Sequence, residues 1–413
     1  MTVVVLVGTL DTKGLEYGFL RDRLRENGVE TLLVVAGILG DPRVEPDVTR
    51  EEVARAAGTD IEGLARAGDR GVAVAAMARG AGEVVKRLHA EGRLDGVVGL
   101  GGSGGSSLVT RAMRELPVGV PKLMVSTVAS GDTRPYVGES DVTMMYSVVD
   151  MAGINRISAR ILSNAAGAIA GMAKAEVPEV GERPLVGATM FGVTTPCVDA
   201  ARGRLEALGY EVLVFHATGA GGRSMEALVR DGFITAVLDT TTTELADDLV
   251  GGVLSAGPDR MEAAGELGIP QVVSLGALDM VNFGPPDTIP KEFEGRLFYE
   301  HNPTVTLMRT TAEECAELGR RIANKLNAAS GPLTLFIPLG GVSLIDTEGQ
   351  IFHDPEADAA LFGALRENLD ENMEVMEIDT DVNDPAFARA MADRLHEHYG
   401  AWSREGTNAG VTR

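Results

Sequence analysis

Gly101, Gly102, Gly104 and Gly105, with Ser103, Ser106 and Ser107 among and after them, follow the apolar run Val97, Val98 and Leu100. Backbone N–H groups in such a loop, lacking Cβ atoms around them, stand open to close approach. Leu108, Val109, Ala112, Met113 and Leu116 then recur at helical spacing. The order strand, glycine loop, helix aims backbone donors and the positive end of a helix dipole at one point, which suits a phosphate. A bare strand-to-helix turn is the alternative, and it needs fewer small residues.

Gly8, Thr9, Asp11, Thr12 and Lys13 form a second loop after the β-branched run Thr2–Val7. First and third strands of a doubly wound sheet can be neighbours, which would let Lys13 meet the phosphate and Asp11 a magnesium ion or a ribose. Capping of the next helix by Asp11 or Thr12 is the competing role. A further loop, Thr127 to Asp132, adds Thr127, Ser130 and Gly131. Two familiar nucleotide signatures fail. Gly99, Gly101 and Gly104 have the G-x-G-x-x-G spacing, but the strand Lys122–Ser126 leads to Thr127 and not to the acidic residue a dinucleotide requires. No G-x-x-x-x-G-K-S/T run occurs either.

The second half carries a different set. Asp239 to Glu244 puts a carboxylate, four threonines and another carboxylate after an apolar strand, and His216, Thr218, Gly219, Gly221 and Gly222 end another. Asp279 and Asn282 follow Val272–Leu275, while His301 and Asn302 precede Thr304, a candidate cap for a helix carrying Arg309. Strand-end groups converge in α/β folds, so His216, Asp239, Glu244, His301 and Arg309 are candidates to orient a small substrate. Helix capping and hydrogen-bonded core are the alternatives for each. Cys197 follows Pro196 at a helix start, where a thiol could be activated, but no base accompanies it and burial as a small hydrophobe is the better reading. No short ligand spacing points to a structural metal.

These loops need strands and helices to hold them. Strand, loop and helix alternate from Thr2 onward, and the pattern restarts at Leu185 after Glu176–Pro184, which reads as a linker. Leu6-Val-Gly and Leu185-Val-Gly share a register, and Asp239–Glu244 stands where the glycine loop stood, a duplication at domain scale. The expected fold is α/β: two similar Rossmann-like, doubly wound parallel-sheet domains, 1–178 and a larger 183–413, facing across a cleft. Helices are expected over Asp150–Lys174 and Thr306–Ala329, a helix from Leu15 after the loop ending at Gly14, and a loose tail from Ala401.

Composition narrows the function classes. The 413 residues carry a formal charge of −23, which disfavours nucleic acid and anionic membranes as partners. No apolar run has membrane-spanning length, the amino terminus lacks signal-peptide features, and two cysteines make no disulfide framework, so a cytoplasmic setting is expected.

Leu6–Gly14, Gly99–Gly105, Met190–Cys197, Phe215–Gly222, Asp239–Glu244 and His301–Met308 together resemble the ATP-binding domain family of the tomato mosaic virus resistance protein and its bacterial and fungal relatives. The resemblance covers nearly the whole chain. It implies two Rossmann-like domains, ATP with Mg2+ held chiefly by the amino-terminal one, and a homodimer, without implying a reaction. An ATP-dependent kinase- or ligase-like enzyme, or a nucleotide-independent enzyme acting on a small metabolite, stays open beside a purely nucleotide-binding role.

Overall fold

The computed structural model describes residues 1–38, 40–178, 181 and 183–408, and the chain divides into two units, Met1–Glu179 and Val180–Arg413. Glu179, Val180 and Glu182 of the expected linker, and 409–413 of the expected tail, lie outside the described residues.

The first unit runs Val3–Gly8 (β1), Leu10–Glu26 (α1), Glu30–Val35 (β2), Arg50–Ala56 (α2), Ile61–Ala67 (α3) and Arg70–Ala90 (α4). Gly96–Gly101 (β3), Ser103–Met113 (α5), Lys122–Ser126 (β4), Arg134–Val137 (α6), Thr143–Tyr146 (β5) and Ser158–Ala173 (α7) complete it. Its parallel sheet has the order β2-β1-β3-β4-β5. The central strands are Val- and Leu-rich without alternation because helices cover both faces. Val53, Met77, Val85, Leu108 and Met113 of α2, α4 and α5 pack on one face, and Tyr17, Leu20, Leu162 and Ile169 of α1 and α7 on the other.

The second unit begins Leu185–Met190 (β6), Thr195–Ala207 (α8), Glu211–His216 (β7), Ala220–Arg230 (α9), Ala236–Thr241 (β8), Thr243–Val250 (α10) and Ala263–Glu266 (α11). Gln271–Gly276 (β9), Met280–Phe283 (β10), Phe298–Asn302 (β11), Val305–Arg309 (β12) and Ala312–Asn327 (α12) follow. Leu333–Pro338 (β13), Pro355–Asn368 (α13), Glu374–Ile378 (β14) and Pro385–Asn408 (α14) end it. Its main sheet, β14-β13-β9-β8-β6-β7, repeats the strand order of the first and adds one strand. An antiparallel sheet β10-β12-β11 is inserted between β9 and β13.

Several boundaries differ from the sequence expectation. α1 starts at Leu10, with a kink at Lys13 (φ −119°, ψ 20°), so Asp11, Thr12 and Lys13 sit in its first turn and not in a loop. Asp150–Ile157 is not helical: Gly153 has φ 79°, and Asn155 Oδ1 accepts from the N–H groups of Ile157 and Ser158, which starts α7 there. Thr306–Arg309 belongs to a strand, and the helix after it starts behind a capping box of Thr311 and Glu314. Thr304 therefore lies in a β-hairpin turn, and its N–H bonds Asn302 Oδ1 at 2.9 Å. Asp239, Thr240 and Thr241 are part of β8 itself. α14 continues through Ala401 to Asn408.

Candidate functional site

At their carboxyl ends β1 and β3 separate. Their ladder covers Val4↔Gly96, Val5↔Val97 and Leu6↔Val98. Beyond it the buried Tyr17 inserts its hydroxyl, which donates to the Val7 carbonyl at 2.5 Å and accepts from the Leu100 N–H at 2.9 Å. Burial raises the pKa of this hydroxyl and keeps it protonated. Gly8 admits the ring, since a Cβ there would lie 2.0 Å from the Tyr17 oxygen.

Above this wedge opens a cavity of ≈ 660 Å³. Thr9, Asp11, Thr12, Lys13, Gly101, Gly102, Ser103, Gly104 and Gly105 line it, joined by Arg70, Asp69 and Asp150. Ile38, Leu64, Val74, Met77 and Leu108 supply an apolar wall. The N-cap of α5 is Gly102, which offers no side-chain cap, and the first bond back is from Ser106 N to Gly102 O at 2.8 Å. The N–H groups of Ser103, Gly104 and Gly105 are thus the orphan donors of that helix end. A Cβ on Gly104 would lie 3.7 Å from Arg70 Nη2, so the guanidinium stands over the loop. Asp69 caps α4 through the N–H groups of Gly71 and Val72, which fixes the turn carrying Arg70.

The other residues expected here have varied surroundings. Lys13 Nζ donates to the Met151 carbonyl, and Asp11 accepts from Thr12 N at 2.9 Å and Gly40 N at 3.3 Å. Neither Asp11 nor Thr12 is the N-cap, which is Thr9. Ser106 is buried against Ser126 at 2.6 Å between hydroxyls and does not line the cavity. Thr127 lies behind Gly102, at 3.6 Å from the position of its absent Cβ, while Gly131 closes a turn onto Val128 and Ser130 is exposed. Nothing near Arg70 in the chain marks it as a site residue.

The matching position in the second unit is filled. β6 and β8 pair only through Ala188↔Leu238, and Thr189 Oγ1 then bridges them, accepting from Thr241 N at 3.0 Å and donating to Asp239 Oδ1 at 2.7 Å. Arg260, fully buried, enters this gap. It bonds both Asp239 oxygens at 2.5 and 2.7 Å, Glu244 at 2.7 Å and Glu226 at 3.5 Å. Glu244 also accepts from Gly219 N and Gly222 N at 2.7 and 3.0 Å. The void beside Asp239 and Glu226 is ≈ 10 Å³, room for about one water.

Asp239 and Glu244 are therefore brought together, but by an arginine of the same chain. Arg309 belongs to a separate buried network with Asp358 at 2.7 Å, Asp346 at 3.2 Å and the Phe352 carbonyl at 2.7 Å. Burial there pushes Asp279 up to about 6 and Asp346 up to about 9. His216 is exposed at the end of β7, edge-on to Phe191 at 5.6 Å, and His301 is exposed on β11. Cys197 is buried, which raises its thiol pKa. Among the described residues no group of three or more His, Cys, Asp or Glu could hold a metal ion, and no helix is long and apolar enough to cross a membrane.

Residues 2–178 match the N-terminal domain, and residues 183–399 the C-terminal domain, of an uncharacterised protein family, UPF0261. The chain belongs to the UPF0261 family. A UPF0261 protein of Clostridium tetani is 55% identical over 394 residues, 95% of this chain and 98% of that one. The ToMV resistance protein Tm-1(GCR237) of Solanum lycopersicum is 49% identical over 336 residues, 79% of this chain but 45% of the tomato protein. The motif resemblance is thus one of common family. Among solved structures, a UDP-N-acetylglucosamine 2-epimerase from Rickettsia bellii covers 99% of this UPF0261 chain and 98% of its own, at 10% identity and a TM-score of 0.24. A likeness that low adds nothing to the strand order.

Proposed function

We propose that the N-terminal unit binds a nucleoside triphosphate of the ATP type, with its phosphates on the first turn of α5. One observation carries this reading: uncapped backbone donors, an arginine and an apolar wall share a single ≈ 660 Å³ cavity. That volume lies within the range of small-molecule sites, roughly 300–1,000 Å³. The N–H groups of Ser103, Gly104 and Gly105 would receive phosphate oxygens, Arg70 would neutralise them, and Ile38, Leu64 and Met77 would take the base. Asp11 and Asp150, both at the cavity, are carboxylates that a magnesium ion arriving with the nucleotide would meet. Asp239 and Glu244, engaged by Arg260, contribute nothing to this reading. A homodimer in the cytoplasm belongs to the same proposal: light scattering tests the dimer, and cell fractionation the location.

Calorimetric titration of the full chain with Mg·ATP tests the main claim. Saturable heat is expected, and Gly104→Val should weaken it by at least roughly ten-fold, since its methyls would fill the space between the loop and Arg70. Absence of heat with the unaltered chain refutes the proposal.

A further inference from the structure

A groove between α4 and α5 opens beside the cavity. Arg70 and Arg79 of α4, Arg111 of α5 and Arg114 just after it line this groove, and no carboxylate among the described residues does. Four arginines, two from each side, thus gather here in a chain of net charge −23. Arg70, Ser103 and Gly104 border both spaces, so the groove meets the cavity at its cationic end. Arg70 and Arg79 form no ion pair among the described residues. Arg111 is held by Glu115 at 3.4 Å, and Arg114 has a buried Nε without a partner. Burial and the neighbouring Arg111 charge both lower the pKa of Arg114, against the pull of Glu139 and Glu115, neither of which lines the groove. Like charges gathered at a half-buried position are unfavourable until an anion joins them.

The geometry points to a second anion site: the α4–α5 groove binds the carboxylate or phosphoryl groups of a small co-ligand that is separate from the nucleotide. Only the statement that this co-ligand lies beside nucleotide phosphates rests on the proposed function. Arg79, Arg111 and Arg114 line the groove and not the cavity, whereas Arg70 is shared and bridges the two anions. Guanidinium groups suit either chemistry, because both present paired oxygens to a planar fork of donors.

Inorganic phosphate and malonate are the probes, each titrated into the full chain before and after saturation with Mg·AMP-PNP. At least one is expected to bind in the presence of AMP-PNP, and which one does separates a phosphoryl from a carboxylate ligand. The double substitution Arg79→Gln with Arg111→Gln should weaken that binding by roughly ten-fold or more, because each removes a charge-assisted donor. AMP-PNP affinity should be unchanged. Arg202→Gln with Arg204→Gln, on α8 in the other unit, should leave probe binding unchanged. The inference is overturned if neither probe binds, if AMP-PNP displaces the probe completely, or if the Arg79 and Arg111 substitutions have no more effect than the control pair. If AMP-PNP gives no heat, the nucleotide reading fails by itself, and the probe titrations on the two double variants still decide the groove.

Discussion

Replacing Arg260 by methionine should unfold the second unit at a much lower denaturant concentration. All five guanidinium N–H donors are engaged in the native protein: two on Asp239, one on Glu244, one on Glu226 and one on the Thr241 carbonyl. Without them Asp239 keeps only the Thr189 hydroxyl, while Glu244 retains the Gly219 and Gly222 N–H groups and Glu226 those of Met261 and Ala263. Removing one partner of a buried ion pair costs about 3–5 kcal/mol, because the other charge remains in a poor solvent. With a urea slope of roughly 3 kcal/mol per molar, the midpoint falls by about 1–1.7 M. Trp402, the single tryptophan, lies in α14 beside Tyr399 and against the cluster of Met225 and Val229, so its fluorescence reads this unit alone. A midpoint change under about 0.3 M would refute the reasoning, since it is below what one exposed ion pair accounts for. Adding Asp239→Asn to Arg260→Met should restore part of the loss, since the carboxylate left behind is its cause. A double variant less stable than Arg260→Met would locate the cost elsewhere.

Other consequences follow from the same geometry. Burial raises Asp247 to about 7 from 3.8, so between these values the folded chain holds a proton that the unfolded chain has released. Stability of the second unit should therefore fall as pH rises through that window, and Asp247→Asn should flatten the slope in urea titrations followed by Trp402. Asn282, whose Oδ1 has no partner, can turn its amide to accommodate that substitution. Tyr17→Phe leaves the Leu100 N–H and the Val7 carbonyl unpaired between β1 and β3, a loss of about 1–3 kcal/mol. Faster hydrogen exchange at the Leu100 amide is the readout, and unchanged exchange would show that the hydroxyl does not bridge these strands.

The glycine loop and its strand were legible because their signal is local: an apolar run, small residues, then helical periodicity. The neighbouring position of β1 and β3 followed from topology, which the alternation of elements already constrains. Arg70 was not legible, since it reaches the loop only through the packing of α4 on α5. The second unit misled for a related reason. Asp239 and Glu244 look the same in sequence whether they await a ligand or hold Arg260, which stands in a stretch without periodicity. Arg309 reads as helical because Thr306, Met308 and Arg309 tolerate either state, although the Thr311-x-x-Glu314 capping box marks the true helix start.

The two gaps, one wedged by Tyr17 and one stoppered by Arg260, arise at the same place in the same strand order. In the second unit the chain supplies its own occupant. That occupant is present at an effective concentration set by covalent linkage, so the unit is complete as soon as it folds. The first unit folds around a space lined by the uncapped helix-end donors of α5 and by Arg70. Under the proposed function its stability rises with nucleotide concentration by mass action, whereas Arg260 already occupies the corresponding gap of the second. The same strand order thus carries one gap wedged by Tyr17 beneath an open cavity and one filled by the chain's own Arg260.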